Sequence, residues 1–201
     1  MKFILLHGMG QSAASWDKTI SFLPSGTETV CPELSDFFTE GDCRYNKMYA
    51  AFCDYCGSFS EPINLCGLSL GAVLALNYAI DFPHKTSSLV LIAPQFEMPK
   101  FLLKVQNLLF KFMPESKFKD SGLKKNDFIT LTKSMSDIDF TSGLDKVECP
   151  ALVLCGERDN VNKKAAKRLA EMLPKAKFCE IKNSGHEVNV DNPRGLAEFL
   201  R

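Results

Sequence analysis

The sequence predicts an α/β fold built on a mostly parallel six-stranded sheet flanked by helices. Short β-rich runs alternate with helix-like segments along almost the whole chain. Two of those runs, Ser88–Ile92 (SLVLI) and Ala151–Cys155 (ALVLC), are continuously apolar, as strands covered on both faces should be. Strands separated by helices in this way pair in parallel, and the crossovers place helices on both sides of the sheet.

The elements follow in order. Lys2–Leu6 reads as the first strand and ends in HGMG. Ser15–Leu23 carries Trp16, Ile20 and Leu23 at helical spacing and is closed by Pro24-Ser25-Gly26. Thr29–Cys31 is a short second strand. A helix over Tyr45–Ser58 places Met48, Phe52 and Tyr55 together, and Pro62–Cys66 is the third strand. The helix Gly71–Asp81 is stopped by Pro83, and Ser88–Ile92 and Ala151–Cys155 follow as strands. Lys163–Leu173 is an amphipathic helix, Lys177–Ile181 the last strand and Pro193–Leu200 the last helix. With 201 residues the chain reads as a single domain that buries roughly 70% of its unfolded surface.

Between Ile92 and Ala151 the alternation breaks, and a helical cap insertion over the strand ends is expected at about 95–147. In KFLLKVQNLLFKFM (Lys100–Met113), Phe101, Val105, Leu108 and Phe112 share one helical face. Leu102, Leu109 and Met113 add a second, so this helix is expected to pack on two sides. Asn126–Ser134 and Asp145–Val147 give shorter helical pieces. Phe101, Leu102, Leu109, Phe110, Phe112, Met113, Phe118 and Phe128 are apolar enough to line an acyl or aryl pocket or simply to glue the cap to the core. Phe101, Phe110 and Met113 are the substrate-binding candidates among them. From Pro99 to Lys125 seven lysines face only Glu115 and Asp120. That excess reads first as a solvated helix face, with anionic substrates or a lipid surface as the alternatives.

Lys+Arg and Asp+Glu are equal at 24 each, so no overall field points to nucleic acid, and a small neutral substrate is the default partner. The opening MKFILLHGMG is too short in its apolar run for a signal peptide or a membrane anchor, which predicts a cytoplasmic protein. Its eight cysteines are then expected as free thiols. Cys53 and Cys56 spell CDYC, but late in a helix rather than at a helix start, and no second Cys/His pair stands at zinc-site spacing. They read as packing thiols, and no metal or organic cofactor is implied.

The chemistry concentrates in Ile63–Ala79, where Gly67 and Gly71 stand two residues either side of Ser69 at a strand-to-helix junction. Such a turn exposes a serine hydroxyl as a nucleophile. A hydroxyl near neutral pH needs a base, and there are three histidines. His84, in DFPHK, reads as a solvated loop residue and His7 as a structural group holding its own loop. His186 lies just past the last strand, at the same sheet edge as Ser69, and is the base candidate. Past ALVLC, the loop GERDNV offers Asp159 as the acid that orients the base, with Glu157 as fallback and Glu97 third. A plain helix N-cap is the alternative role for Asp159. The oxyanion of a tetrahedral intermediate needs N–H donors, and Leu70 and Met9 are placed to supply them.

Together HGMGQSAASW (His7–Trp16), GLSLG (Gly67–Gly71), ALVLCGERD (Ala151–Asp159) and SGHEVNVDNP (Ser184–Pro193) resemble the α/β-hydrolase fold family over essentially the whole chain. The resemblance implies Ser69 as nucleophile, Asp159 as acid, His186 as base, and Met9 and Leu70 as oxyanion donors. It also implies that the family's usual first two strands are missing and that the cap is short. Leu68 stands before the nucleophile, where the family often has His. A serine nucleophile disfavours epoxide hydrolase and haloalkane dehalogenase chemistry, which use aspartate. It leaves ester, thioester, lactone, amide and carbon–carbon bond hydrolysis. A small carboxylic ester with an apolar acyl or aryl group makes the fewest extra demands, cleaved by a monomer or homodimer. A non-hydrolytic ligand receptor of the same fold and a thiol protein using CDYC are the readings from other classes.

Overall fold

The computed structural model describes residues 2–38, 41–115 and 123–201, with backbone alone for Phe101, Leu102 and Val105. Six strands among them form one sheet: β1 (Lys2–Leu6), β2 (Glu28–Val30), β3 (Ile63–Leu68), β4 (Thr86–Ile92), β5 (Ala151–Gly156) and β6 (Ala176–Ile181). The order is β2-β1-β3-β4-β5-β6 and every neighbouring pair is parallel, as the apolar runs predict. The chain goes one way from β1 to β2 and the other way to β3. The loops after β1 and β3 therefore diverge, and a crevice opens at the carboxyl ends of these central strands.

Eight α-helices are described: α1 (Asp17–Ser21), α2 (Tyr45–Gly57), α3 (Leu70–Asp81), α4 (Lys100–Phe112), α5 (Lys125–Ser134), α6 (Lys163–Met172), α7 (Val188–Asp191) and α8 (Pro193–Ala197). The two-residue alternation of β1 divides the core. Ile4 and Leu6 join the cluster under α2, α3 and α6, while Phe3 and Leu5 pack with Trp16, Val188 and Leu196 on the opposite face. β3 is buried along its entire length, so neither face of the sheet meets water at this strand.

Several elements differ from the periodicity. The Ser15–Leu23 helix divides into a 3-10 turn at Ala13–Trp16 and the short α1. The piece expected at Asp145–Val147 is a 3-10 segment over Thr141–Lys146. α7 is new, because four residues are too few to show a period. The expected two-sided packing of the Lys100–Met113 helix is corrected: Leu108, Leu109 and Phe112 are 54%, 58% and 82% exposed. α5 meets α4 on one side, through a hydrogen bond from the Thr132 hydroxyl to Asn107 and an edge-on contact of Phe110 with Phe128. Phe118 lies outside the described residues.

Candidate active site

Ser69 takes φ 53° and ψ −109°, between the end of β3 and the start of α3. A positive φ is costly for a residue with a Cβ and persists only where the surroundings enforce it. Its N–H donates to the Ile92 carbonyl at 2.9 Å, and its carbonyl accepts from Val73 at 3.0 Å. The flanking glycines do not themselves take the strained angle. A Cβ on Gly67 would strike the Gly71 backbone and lie 2.5 Å from the Ala72 nitrogen. One on Gly71 would strike the Leu6 carbonyl oxygen and lie 2.7 Å from its carbon. Both are glycine because α3 starts in direct backbone contact with β1 and β3, which leaves Ser69 no relaxed route through the turn.

His186 and Asp159 are brought together by the loops after β6 and β5. Gly156 has no room for a side chain, since a Cβ there would meet the Gly185 carbonyl oxygen and lie 2.6 Å from that of Ser184. The Arg158 N–H then donates to Ser184 and the Gly185 N–H to the Asp191 carboxylate. Across this junction His186 Nδ1 donates to Asp159 Oδ2 at 2.8 Å. The Asp159 side chain is 4% exposed, whereas His186 keeps 42% of its side chain open to solvent. The N-cap alternative also has substance, because Asp159 Oδ1 accepts the Asn162 N–H just ahead of α6. Glu157 accepts instead from the Asn183 N–H, and Glu97 is paired with Arg168 at 3.0 Å.

Asn162 was not legible in advance as part of this cluster. Its Nδ2 donates to both Asp159 carboxylate oxygens at 2.9 Å, and its Oδ1 accepts from Gln95 Nε2 at 2.7 Å. Burial raises the Asp159 carboxyl, but hydrogen bonds from His186 and Asn162 outweigh it and hold the group below its ordinary value. Asn162 Nδ2 also lies 3.1 Å from His186 Nδ1. With the Nδ1 proton given to Asp159, that approach is donor to donor and carries no bond.

The loop after β1 is fixed from two sides. Buried His7 donates from Nδ1 to the Gly8 carbonyl and accepts the Leu34 N–H on Nε2, at 2.9 and 3.1 Å. Gln11 accepts the Gly8 N–H and donates to Asn189 on α7, which in turn donates to the Ser15 hydroxyl. This network ties the Met9 loop to the segment that follows His186. Among the described residues the Met9 and Leu70 N–H groups have no hydrogen-bond acceptor, and both residues line one cavity with Ser69, Asp159 and His186.

That cavity has a volume of about 360 Å³ and apolar walls from Val73, Met98, Leu103, Met135 and Val161. From α4 it takes Leu103 and Gln106 rather than the substrate-binding candidates Phe110 and Met113. The reason is position along the helix. Phe110 stands one turn beyond Gln106, where it packs on Phe128 with ring centroids 5.7 Å apart, and Met113 lies past the last residue of α4. The side chain of Phe101 lies outside the described part of the structure.

The remaining sequence candidates sit elsewhere. His84 is exposed, 3.7 Å from Glu148. All eight cysteines are free, and burial pushes the Cys53 and Cys56 thiols above their ordinary value, which disfavours the thiolate that redox or metal chemistry needs. No group of three or more His, Cys, Asp or Glu among the described residues is arranged to hold a metal ion. No described helix is long and apolar enough to cross a membrane.

Against known proteins, the profile of the alpha/beta hydrolase family matches residues 3–199. The chain belongs to that family. Human monoacylglycerol lipase ABHD6 is 21% identical over 248 aligned positions, covering 98% of this chain and 73% of the lipase. A thermophilic esterase from Thermogutta terrifontis superposes with a TM-score of 0.76 at 20% identity, over 100% of this chain and 88% of the esterase. The enol-lactonase from Burkholderia xenovorans LB400 reaches a TM-score of 0.82 at 11% identity, over 99% and 89% of the two chains. These solved structures share the alpha/beta hydrolase fold with this chain.

Buried His7 makes the scaffold of the site sensitive to pH. Burial lowers its pKa against the opposing pull of the Gly8 carbonyl and of Glu33. The neutral ring thus stabilises the fold fully above about pH 6.5, and that contribution is lost as the pH falls below it, where only the unfolded chain takes up the proton. His7→Gln is expected to flatten the loss of stability between about pH 7 and about pH 5. Urea unfolding of both proteins at the two values measures it, and an unchanged slope would place the neutral ring's contribution elsewhere.

Proposed function

We propose that the protein is a serine hydrolase that cleaves a small carboxylic ester through an acyl-enzyme, with residues 1–201 acting as one domain and about 95–147 as its cap. The observation that carries this reading is the buried Asp159 holding Nδ1 of His186 in the cavity where strained Ser69 is presented. His186 Nε2 takes the Ser69 proton as Oγ attacks the ester carbonyl. The tetrahedral oxyanion is received by the Met9 and Leu70 N–H groups at the start of α3, whose dipole favours negative charge there. Collapse expels the alcohol with the proton from His186, and a water activated by the same imidazole releases the acid. The cavity lies at the small end of the range of about 300–1,000 Å³ for small-molecule sites. Its apolar walls suit a short acyl or aryl group.

Hydrolysis of p-nitrophenyl esters from acetate to decanoate tests the reading, with the chain-length optimum sizing the cavity. No turnover at any length, together with no labelling of Ser69 by a serine-directed phosphonate, would leave a binding protein of the same fold.

Asn162 acts in this mechanism as a positioning residue for Asp159. Asn162→Ala should lower kcat/KM by about ten- to a hundred-fold, the worth of hydrogen bonds to a buried charge. It should also raise the Asp159 carboxyl pKa, followed by NMR titration, because two of the bonds that hold it down are gone. A rate loss with the carboxyl unmoved would mean that Asn162 serves only as cavity wall.

A further inference from the structure

We infer that the outward face of α4 is a docking surface for an anionic lipid bilayer. The inference concerns binding alone and stands whether or not Ser69 is a nucleophile. Leu108, Leu109 and Phe112 leave large apolar side chains in water within five residues of one helix, whereas the other exposed large hydrophobics among the described residues are scattered. At about 100° per residue these three span a sector of roughly 100°. Lys104 and Lys111 fall along one edge of that sector. With Lys100 and Lys133 they line a groove of about 640 Å³ between α4 and α5.

Lys100 is engaged by Asp137 at 2.8 Å. Among the described residues no carboxylate lies within ion-pair distance of Lys104, Lys111 or Lys133. An exposed apolar stripe bordered by uncommitted lysines is the pattern of a helix lying in a bilayer interface, with the apolar side chains inserted and the ammonium groups among anionic headgroups. Charge complementarity favours this occupant over a second copy of the chain. A two-fold contact sets a patch against itself, and α4 (KFLLKVQNLLFKF) carries no carboxylate to meet the lysines of a second copy. The opposite side of α4 supplies Leu103 and Gln106 to the cavity, so a docked helix would form the wall between the bilayer and the site.

Co-sedimentation with phosphatidylcholine vesicles, with and without phosphatidylglycerol, tests the surface. Binding is expected only to the anionic vesicles. It should fall as salt rises from about 0.1 M to about 1 M and the Debye length shrinks from about 10 Å to about 3 Å. Lys104→Ala/Lys111→Ala should weaken it by about five-fold per lysine, and Leu108→Ser/Leu109→Ser/Phe112→Ser should abolish it. All positions changed are at the surface, so the thermal midpoints of both variants should stay at the wild-type value. Phe112→Trp gives a readout that needs no disruptive change, since its emission should move to the blue on anionic vesicles while buried Trp16 contributes a constant background. Equal binding to neutral vesicles, absence of binding, or an unmoved Trp emission overturns the inference. So does a dimer in light scattering that the triple variant dissolves without any vesicle binding, which would assign the face to a second copy.

Discussion

Ser69→Ala is expected to lower kcat/KM for p-nitrophenyl acetate by about 10⁴–10⁶ while the protein keeps its fold. The substitution removes one oxygen and nothing that holds the turn. Ser69 is fixed by its backbone bonds to Ile92 and Val73, and by the contact of α3 with β1 that Gly67 and Gly71 permit. Alanine carries the same Cβ into φ 53°, so the strain of the turn is unchanged and the thermal midpoint should move little. The residual rate should exceed that of water, because the Met9 and Leu70 amides, the oxyanion donors of the proposed mechanism, remain along with the cavity. His186→Ala should fall to a similar level, and the double variant hardly further, if the two act as nucleophile and base, which work as a unit. Esterase activity that survives Ser69→Ala would sink the assignment of the nucleophile.

The strands were legible because a parallel sheet covered on both faces writes continuous apolar runs, and SLVLI and ALVLC became β4 and β5 almost to the residue. GLSLG was legible for a related reason. Close contact between α3 and the strands admits only glycine on either side of Ser69, and that requirement is local in sequence. What the motif does not record is that the glycines answer to backbone proximity, to β1 and to the start of α3. The loops of HGMG, GERDN and SGHEV were placed by the rule that strand ends share one edge of the sheet.

What stayed hidden depends on distance along the chain. Asn162 sits next to Asp159 in sequence, yet its meaning comes from Gln95 after β4. The Gln11–Asn189 bond joins residues 178 positions apart, and no periodicity records such a pairing. For Gln11 and Asn189 the signal that was available was chemical: uncharged amides inside HGMGQSAASW and SGHEVNVDNP, whose other members already had roles. In the cap, hydrophobicity marked α4 as apolar on more than one side without saying which side faces the cavity. Phe110 and Met113 are apolar enough for a lining, but the lining falls nearer the start of the helix, to Leu103 and Gln106.

Asp159→Asn is expected to cost about 10⁴ in kcat, and Glu157→Gln close to nothing. An asparagine at 159 meets two neighbours with opposite demands. If its carbonyl oxygen turns to His186, its amide nitrogen takes the Oδ1 position and opposes two donors, the Asn162 backbone N–H and Nδ2. If its oxygen turns to Asn162, its nitrogen donates to His186 Nδ1 and drives the ring proton to Nε2, where the base must instead be free. The Asn162 backbone N–H, which donates to the Oδ1 position alone and cannot turn, favours this second arrangement, so the wrong tautomer should prevail. Adding Asn162→Asp relieves the conflict, because a carboxylate then stands about where Asn162 Nδ2 lies 3.1 Å from His186 Nδ1. The double variant should regain at least about ten-fold over Asp159→Asn alone, a coupling within the range of neighbouring side chains. Steady-state kinetics on the four proteins of the cycle read it out. Simple additivity would mean that Asn162 does not set the hydrogen bonding at the acid, and a large loss from Glu157→Gln would move the acid itself.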